Sequence, residues 1–283
     1  MKIKDILKKS VQILNENNID ESILKSRILL AWVLEVNKEY LIINDDKEIS
    51  EKQEKNFFDG ISRLTKGEPI QYITNSQKFM NLKFYVDKRA LIPQPDTEIL
   101  VENVISIAKN MQKNYQNELK ILDLCTGSGV IGICLYNSLQ NVKIYASDIS
   151  DDALEVAKKN NDLNNTKVNF IKSDLFENIN EKFDIIVSNP PYIETEVIDN
   201  LSKEVQNEPK LALDGGKDGL DFYRKIIKQS PDFLNKNGYL ALEIGYNQKD
   251  SVEKLLKSNN YKDIIIKKDL SNLDRVIIGE IHS

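Results

Sequence analysis

Two thirds of the way along the chain, Asn189-Pro190-Pro191-Tyr192 follows an apolar run, Asp184 to Ser188, that reads as a buried strand. An asparagine side chain carries a carbonyl oxygen that accepts an N–H. A proline ring stiffens the backbone that presents the next carbonyl. The Asn189 side-chain oxygen and the Pro190 carbonyl can therefore each take one hydrogen of a planar NH2 group, with Tyr192 lying flat against that group. Taken alone, the same four residues make an ordinary strand-ending turn.

A second candidate lies 60 residues upstream, where Gly127, Gly129 and Gly132 satisfy G-x-G-x-x-G after a strand and at the start of a helix. Asp148 stands 21 residues after Gly127, at the end of the next strand. Glycines let the loop approach a ligand closely, and the acid can accept from ribose hydroxyls. That fits an adenosine-containing cofactor, either a dinucleotide or S-adenosylmethionine (SAM). Asp123 sits inside the strand where a dinucleotide site usually has apolar residues. The run Asp123-Leu-Cys-Thr-Gly-Ser-Gly129 resembles the first motif of class I SAM-dependent methyltransferases, which places the loop beside the methionine and ribose of SAM. Asp123 would orient the loop or a cofactor-bound water, or simply accept from local amides. After the third strand, Asp174 and Leu175 match the positions that contact the adenine edge and face, although a strand-end Asp can also be merely solvated. Cys125 occupies the loop as a small residue, with no histidine to activate it.

With a SAM-type loop in place, the tetrapeptide acquires a chemistry. Methyl transfer needs a lone pair aimed along the breaking bond, and the lone pair of an amide nitrogen is delocalised. Holding both hydrogens points that nitrogen at the methyl group and favours pyramidalisation. The rest is largely positioning.

Composition removes most other chemistries. The chain has 283 residues, net charge -5, and one histidine, His282, next to its end; its mean hydropathy is -0.41. No Ser-His-Asp or Cys-His constellation and no His/Cys zinc site is expected. Cys125 and Cys134 do not make a secreted disulfide framework, so a reducing cytoplasm is the natural setting. MKIKDILKKS lacks a signal-peptide core, and no apolar run approaches the roughly 18 residues of a membrane span. Five arginines and a pI near 5.3 argue against general nucleic-acid binding.

The elements that must position these residues follow from periodicity. Residues 1–67 read as a helical bundle: Ile3, Ile6, Leu7, Val11 and Leu14 share one face, and Ser50 with Gln53 forms a capping box. The bundle serves packing alone or partner recognition. Residues 68–95 read as a connector holding a hairpin around Phe79 to Val86, with the domain boundary near residue 90. Residues 96–283 alternate strand and helix. The candidate strands are Lys120–Leu124, Val142–Ser147, Val168–Lys172, Asp184–Ser188, Gly238–Ile244, Tyr261–Lys267 and Arg275–Ile281. The expected fold class is α/β, a doubly wound, mostly parallel, Rossmann-like sheet of seven strands behind a small helical domain. Its first and fourth strands should be neighbours, bringing Asn189 to the Gly127–Gly129 loop.

Further runs complete a resemblance that covers nearly the whole chain. Gly67-Glu-Pro-Ile-Gln-Tyr-Ile73, Leu91-Ile-Pro-x-Pro-Asp-Thr-Glu98, Glu208-Pro209, Gly215-Gly-x-Asp-Gly-Leu220, Leu242-Glu-Ile-Gly-Tyr246 and Asp274-Arg-Val-Ile277 join the motifs above. Together they resemble the release factor glutamine-N5 methyltransferases, the PrmC/HemK family. The resemblance implies SAM-dependent methylation of the glutamine in the Gly-Gly-Gln motif of bacterial class I peptide chain release factors, with the N-terminal helices gripping the substrate. It implies Asn189, Pro190 and Tyr192 as catalytic residues, with Pro191 also touching substrate. Cofactor contacts are implied for Asp123, Cys125, Thr126, Gly127, Ser128 and Gly129, and for Asp148, Ile149, Asp174, Leu175 and Asn189; no metal is implied. Gln94 departs from the pattern, standing where the family usually has arginine. A nucleic-acid amino methyltransferase (adenine-N6 or guanine-N2) is the alternative, because the same tetrapeptide holds any planar NH2. An NAD-dependent oxidoreductase would leave Asn189–Tyr192 without a role, and a catalytically silent binding module completes the set.

Overall fold

The computed structural model describes residues 1–113 and 117–282. The chain divides into two compact units, Met1–Ser76 with Leu201–Asn207, and Gln77–Asn200 with Glu208–Ser283. Among the described residues no helix is long and apolar enough to cross a membrane.

The first unit opens with five helices: α1 (Ile3–Glu16), α2 (Ser22–Leu34), α3 (Lys38–Ile43), α4 (Glu51–Thr65) and α5 (Ile70–Thr74). Its core is built from Ile3, Ile6, Leu14, Leu29, Phe57 and Ile61, the helical-period positions that lose contact with water. The expected capping box at Ser50 forms, with Gln53 reciprocating. Helix α5 departs from the expected break after Gly67. Pro69 precedes it, and Ile70 and Ile73 join the same core, so the unit runs to Ser76 rather than ending at residue 67. The distant segment Leu201–Asn207 belongs here too, with a short helical turn over Lys203–Gln206. Lys25 Nζ meets Glu204 Oε1 at 2.5 Å, and Asn207 Nδ2 donates to Gly67 O at 2.9 Å.

The second unit opens with the expected hairpin, β1 (Gln77–Phe79) and β2 (Leu82–Phe84). Phe79 and Phe84 are buried in this unit's own core, which moves the division well before residue 90. Helix α6 (Asp96–Gln112) follows. The main sheet then comprises β3 (Leu119–Leu124), β4 (Val142–Asp148), β5 (Asn169–Lys172), β6 (Phe183–Ser188), β7 (Leu234–Glu243), β8 (Tyr261–Lys268) and β9 (Asp274–Ile281). All seven expected strands are present. Their order is β5-β4-β3-β6-β7-β9-β8; β9 is antiparallel to both β7 and β8, while the first five strands run parallel.

Period-two alternation divides each central strand between two cores. Ile121, Ile185, Val187, Ala241, Val276 and Ile278 join the α6 residues Leu100, Val101 and Val104 on one face. Leu122, Leu124, Ile186, Leu240, Leu242 and Ile277 pack on the other. Strands leave the centre in opposite directions from the β3–β6 pair, where Asp123 sits opposite Val187 and Leu124 opposite Ser188. That is the switch point at which doubly wound sheets place a ligand crevice.

Candidate active site

The end of β3 is shaped by two buried acids. Asp123 is fully buried beneath the loop that follows it. Its Oδ2 accepts from Thr126 Oγ1 at 2.5 Å and from Gly132 N at 2.9 Å, so it pins both ends of the glycine turn. Its Oδ1 has no partner among the described residues. Burial outweighs these hydrogen bonds and pushes the carboxyl up to about 7. Asp148, at the end of β4, accepts from Gly127 N at 2.8 Å through Oδ2 and from Ser150 N at 3.0 Å through Oδ1. Burial raises its pKa as well. Ser150 caps the helix over Asp151–Leu163 by accepting from Ala153 N.

Above these acids lies a cavity of about 240 Å³. Gly127 lines it at φ +55°, and a Cβ built there meets no atom within 4 Å. The loop backbone therefore borders open space that a ligand can approach closely. Cys125, Thr126 and Ser128 line the same cavity from the loop, Asp148 and Ile149 from the end of β4, and Asp174 and Leu175 from the end of β5. Asn189 and Pro191 close it from the end of β6. Two sequence motifs thus converge on one space, as the strand order requires. Burial pushes the Cys125 thiol far up and the Cys134 thiol up to about 12, so both stay protonated at neutral pH.

Four expected site residues do not line this cavity. Asp123 and Gly129 lie beneath and behind the loop, where a Cβ on Gly129 would sit 3.0 Å from the Ala157 Cβ. Pro190 is buried. Tyr192 is half-buried, with its hydroxyl 3.3 Å from Glu243 Oε1. Burial and the Glu243 charge hold that phenol well above its usual range.

Other residues at the site carry no role assigned from the sequence. Thr97 lines the cavity from the first turn of α6 and receives Asn189 Nδ2 at 3.2 Å. Its own hydroxyl donates to Glu243 Oε2 at 2.6 Å. Ser188 Oγ donates to Leu124 O at 2.6 Å, tying the end of β6 to the end of β3. The available signal was a glutamate within Leu240-Ala-Leu-Glu-Ile244, since a carboxylate in an apolar strand is rarely there without partners. Gln94 borders the cavity and donates to Ile92 O at 3.0 Å, and Glu208 accepts from Ile92 N at 2.8 Å. The lone histidine meets Asp263 at 3.1 Å and Glu280 at 3.7 Å, and none of these three lines the cavity.

A Gly-loop pinned by a strand acid, an acid at the next strand end and Asn-Pro-Pro-Tyr across the switch point define a class I SAM-dependent methyltransferase. A methyltransferase small domain model matches residues 104–216, and a PrmC N-terminal domain model matches residues 5–74. The chain belongs to the release factor glutamine methyltransferases. It is 42% identical over 285 residues to the release factor glutamine methyltransferase of Clostridium acetobutylicum, covering 99% of this chain and 98% of that one. It is 43% identical to that of Clostridium botulinum, covering 98% of each. The crystal structure of a methyltransferase from Pyrococcus furiosus shares the fold, with TM-score 0.52 and 18% identity, over 78% of this chain and 98% of that one.

Proposed function

We propose that this enzyme methylates the side-chain amide nitrogen (N5) of the glutamine in the Gly-Gly-Gln motif of bacterial class I peptide chain release factors, using SAM. The observation that carries this reading is the Asn189 amide. Its NH2 end is engaged by Thr97, while its Oδ1 has no donor among the described residues, on the wall of the cavity bordered by the Gly127 loop. SAM, when bound, supplies a methyl group activated by its sulfonium. Gly127 and its neighbours would border the methionine and ribose, Asp148 would accept from ribose hydroxyls, and Asp174 with Leu175 would meet the adenine.

Asn189 Oδ1 and the Pro190 carbonyl hold the two hydrogens of the substrate amide and so aim its nitrogen. Once N-methylated, the protonated amide is strongly acidic and loses its proton to water, so the site needs no imidazole. The exposed Ile23, Leu24, Trp32, Ile42 and Ile43 of the helical unit offer apolar surface for gripping the release factor. A protein substrate also suits the negative net charge, without nucleic acid. Free Cys125 and Cys134 suit work in the cytoplasm.

Incubating the enzyme with labelled SAM and purified release factor, then sequencing the tryptic peptides by mass spectrometry, should locate one methyl on the Gly-Gly-Gln glutamine. Label entering only DNA or rRNA would overturn this reading. Asp148→Ala should weaken SAM binding by roughly 10- to 100-fold, because hydrogen bonds to a charged acceptor contribute about 1.5–3 kcal/mol. Calorimetric titration measures this directly; an unchanged Kd would remove Asp148 from the cofactor site.

A further inference from the structure

Three segments far from Asn189 in sequence converge on one polar cluster: Thr97 from the first turn of α6, Glu243 from the end of β7 and Arg275 from β9. We propose that Glu243 and Thr97 are positioning residues for methyl transfer: the buried carboxylate orients the Thr97 hydroxyl, and that hydroxyl fixes which end of the Asn189 amide faces the substrate. The inference rests on the glutamine-methylation reading above and deepens it.

Glu243 is 2% exposed and Thr97 is 3% exposed, so water does not compete for their hydrogen bonds. A hydroxyl has one proton to give. Thr97 gives its proton to Glu243 Oε2 at 2.6 Å, which leaves its oxygen able only to accept towards Asn189. The Asn189 NH2 end therefore turns to Thr97, at 3.2 Å, and Oδ1 is left as an acceptor. Substrate NH2 needs an acceptor there; a flipped Asn189 would oppose two donors. The other carboxylate oxygen, Oε1, receives the Tyr192 hydroxyl at 3.3 Å. Glu243 thus holds Tyr192 directly and Asn189 through Thr97.

The ionised acid is the form that enforces this arrangement. A protonated Glu243 can donate to Thr97, whose hydroxyl is then free to donate to Asn189 Oδ1 and turn the amide over. Burial pushes Glu243 up to about 7, opposed by the Thr97 hydrogen bond, the Arg275 charge and the Tyr192 hydroxyl, and assisted by Asp96. Tyr223 also faces it, donating to its backbone oxygen at 2.8 Å. Arg275 is itself paired with Asp269 at 3.0 Å and Asp96 at 3.3 Å. As pH falls through about 7, the ionised fraction of Glu243 falls, and kcat should fall with it.

The test uses the full chain with release factor and SAM, plus 15N NMR of the Asn189 side-chain amide without substrate. Thr97→Val should lower kcat by roughly 10- to 100-fold, and Thr97→Ser should restore it. SAM Kd should stay within about threefold in both variants, separating chemistry from cofactor binding. Glu243→Gln, which can still accept from Thr97 but does not ionise, should lose the acid limb of kcat. Asp123 is also pushed up to about 7, so only a limb that disappears in Glu243→Gln counts as Glu243's. In the NMR arm, the Asn189 amide resonances should titrate near pH 7 in the wild type and stay flat in Glu243→Gln. Wild-type kcat in Thr97→Val, no rescue by serine, or an Asn189 amide that does not titrate in the wild type would each overturn the proposal. Should Glu243→Gln not fold, the threonine pair and the wild-type titration still decide it. A wild-type enzyme that leaves the release factor unmethylated counts against the functional reading alone, because the NMR arm needs no substrate.

Discussion

Asn189→Ala is expected to lower kcat by about 10²–10³-fold, the usual cost of removing one preorganised hydrogen-bonding group from a transition state. SAM affinity should remain near wild type, since the cofactor's implied contacts come mainly from the β3, β4 and β5 ends. The reason for the split is that Asn189 Oδ1 holds a hydrogen of the acceptor amide, and that grip matters most as the nitrogen gives up its planarity. The variant should fold: Asn189 is only partly buried, and Ser188 still ties β6 to β3 through Leu124 O at 2.6 Å. Single-turnover kinetics with release factor, alongside calorimetry with SAM, would measure both quantities. Turnover like that of the wild type would refute the role given to Asn189.

Gly219→Ala should produce a comparable loss without touching the chemistry. Gly219 lies at φ +69°, and a Cβ there would fall 2.4 Å from Tyr192 O and 2.6 Å from Gln248 Nε2. That same Gln248 nitrogen donates to Tyr192 O at 2.9 Å. The substitution costs about 1–2 kcal/mol for the left-handed backbone alone, and it pushes on the backbone of Tyr192, three residues from Asn189. A displacement of about 1 Å at a positioning group can cost 10²-fold in rate. We expect kcat to fall about 10²-fold with a modest loss of thermal stability. A variant that lost stability but kept its kcat would show that the glycine motif serves folding only.

The site was legible where its determinants are local. Gly127, Asp148, Asp174 and Asn189 each stand at or just beyond a strand end, and strand order alone brings them together. All seven strands are visible as apolar runs, although β7 begins at Leu234 rather than Gly238 because the polar Asn235-Lys-Asn237 conceals its start. Helix α5 is hidden because Gly67-Glu-Pro69 reads as a break, whereas Pro69 stands just ahead of a new helix. Thr97 and Glu243 could not be paired from sequence: they are 146 residues apart, and only the packing of α6 on one face of the sheet joins them. Their motifs could be noticed, but what they do depends on which face each strand residue presents.

Leu201–Asn207, grouped with the helical unit, gives this architecture a further consequence. The chain crosses between the two units at 76/77, again at 200/201 and once more at 207/208, so the helical unit is threaded by three covalent links rather than appended by one. Cutting away residues 1–76 would not yield a catalytic unit with a clean border. It would strand a short segment whose Glu204 and Asn207 have lost Lys25 and Gly67 as partners. Insertion or excision at either end of that segment, rather than N-terminal trimming, is the operation that respects how this protein is divided.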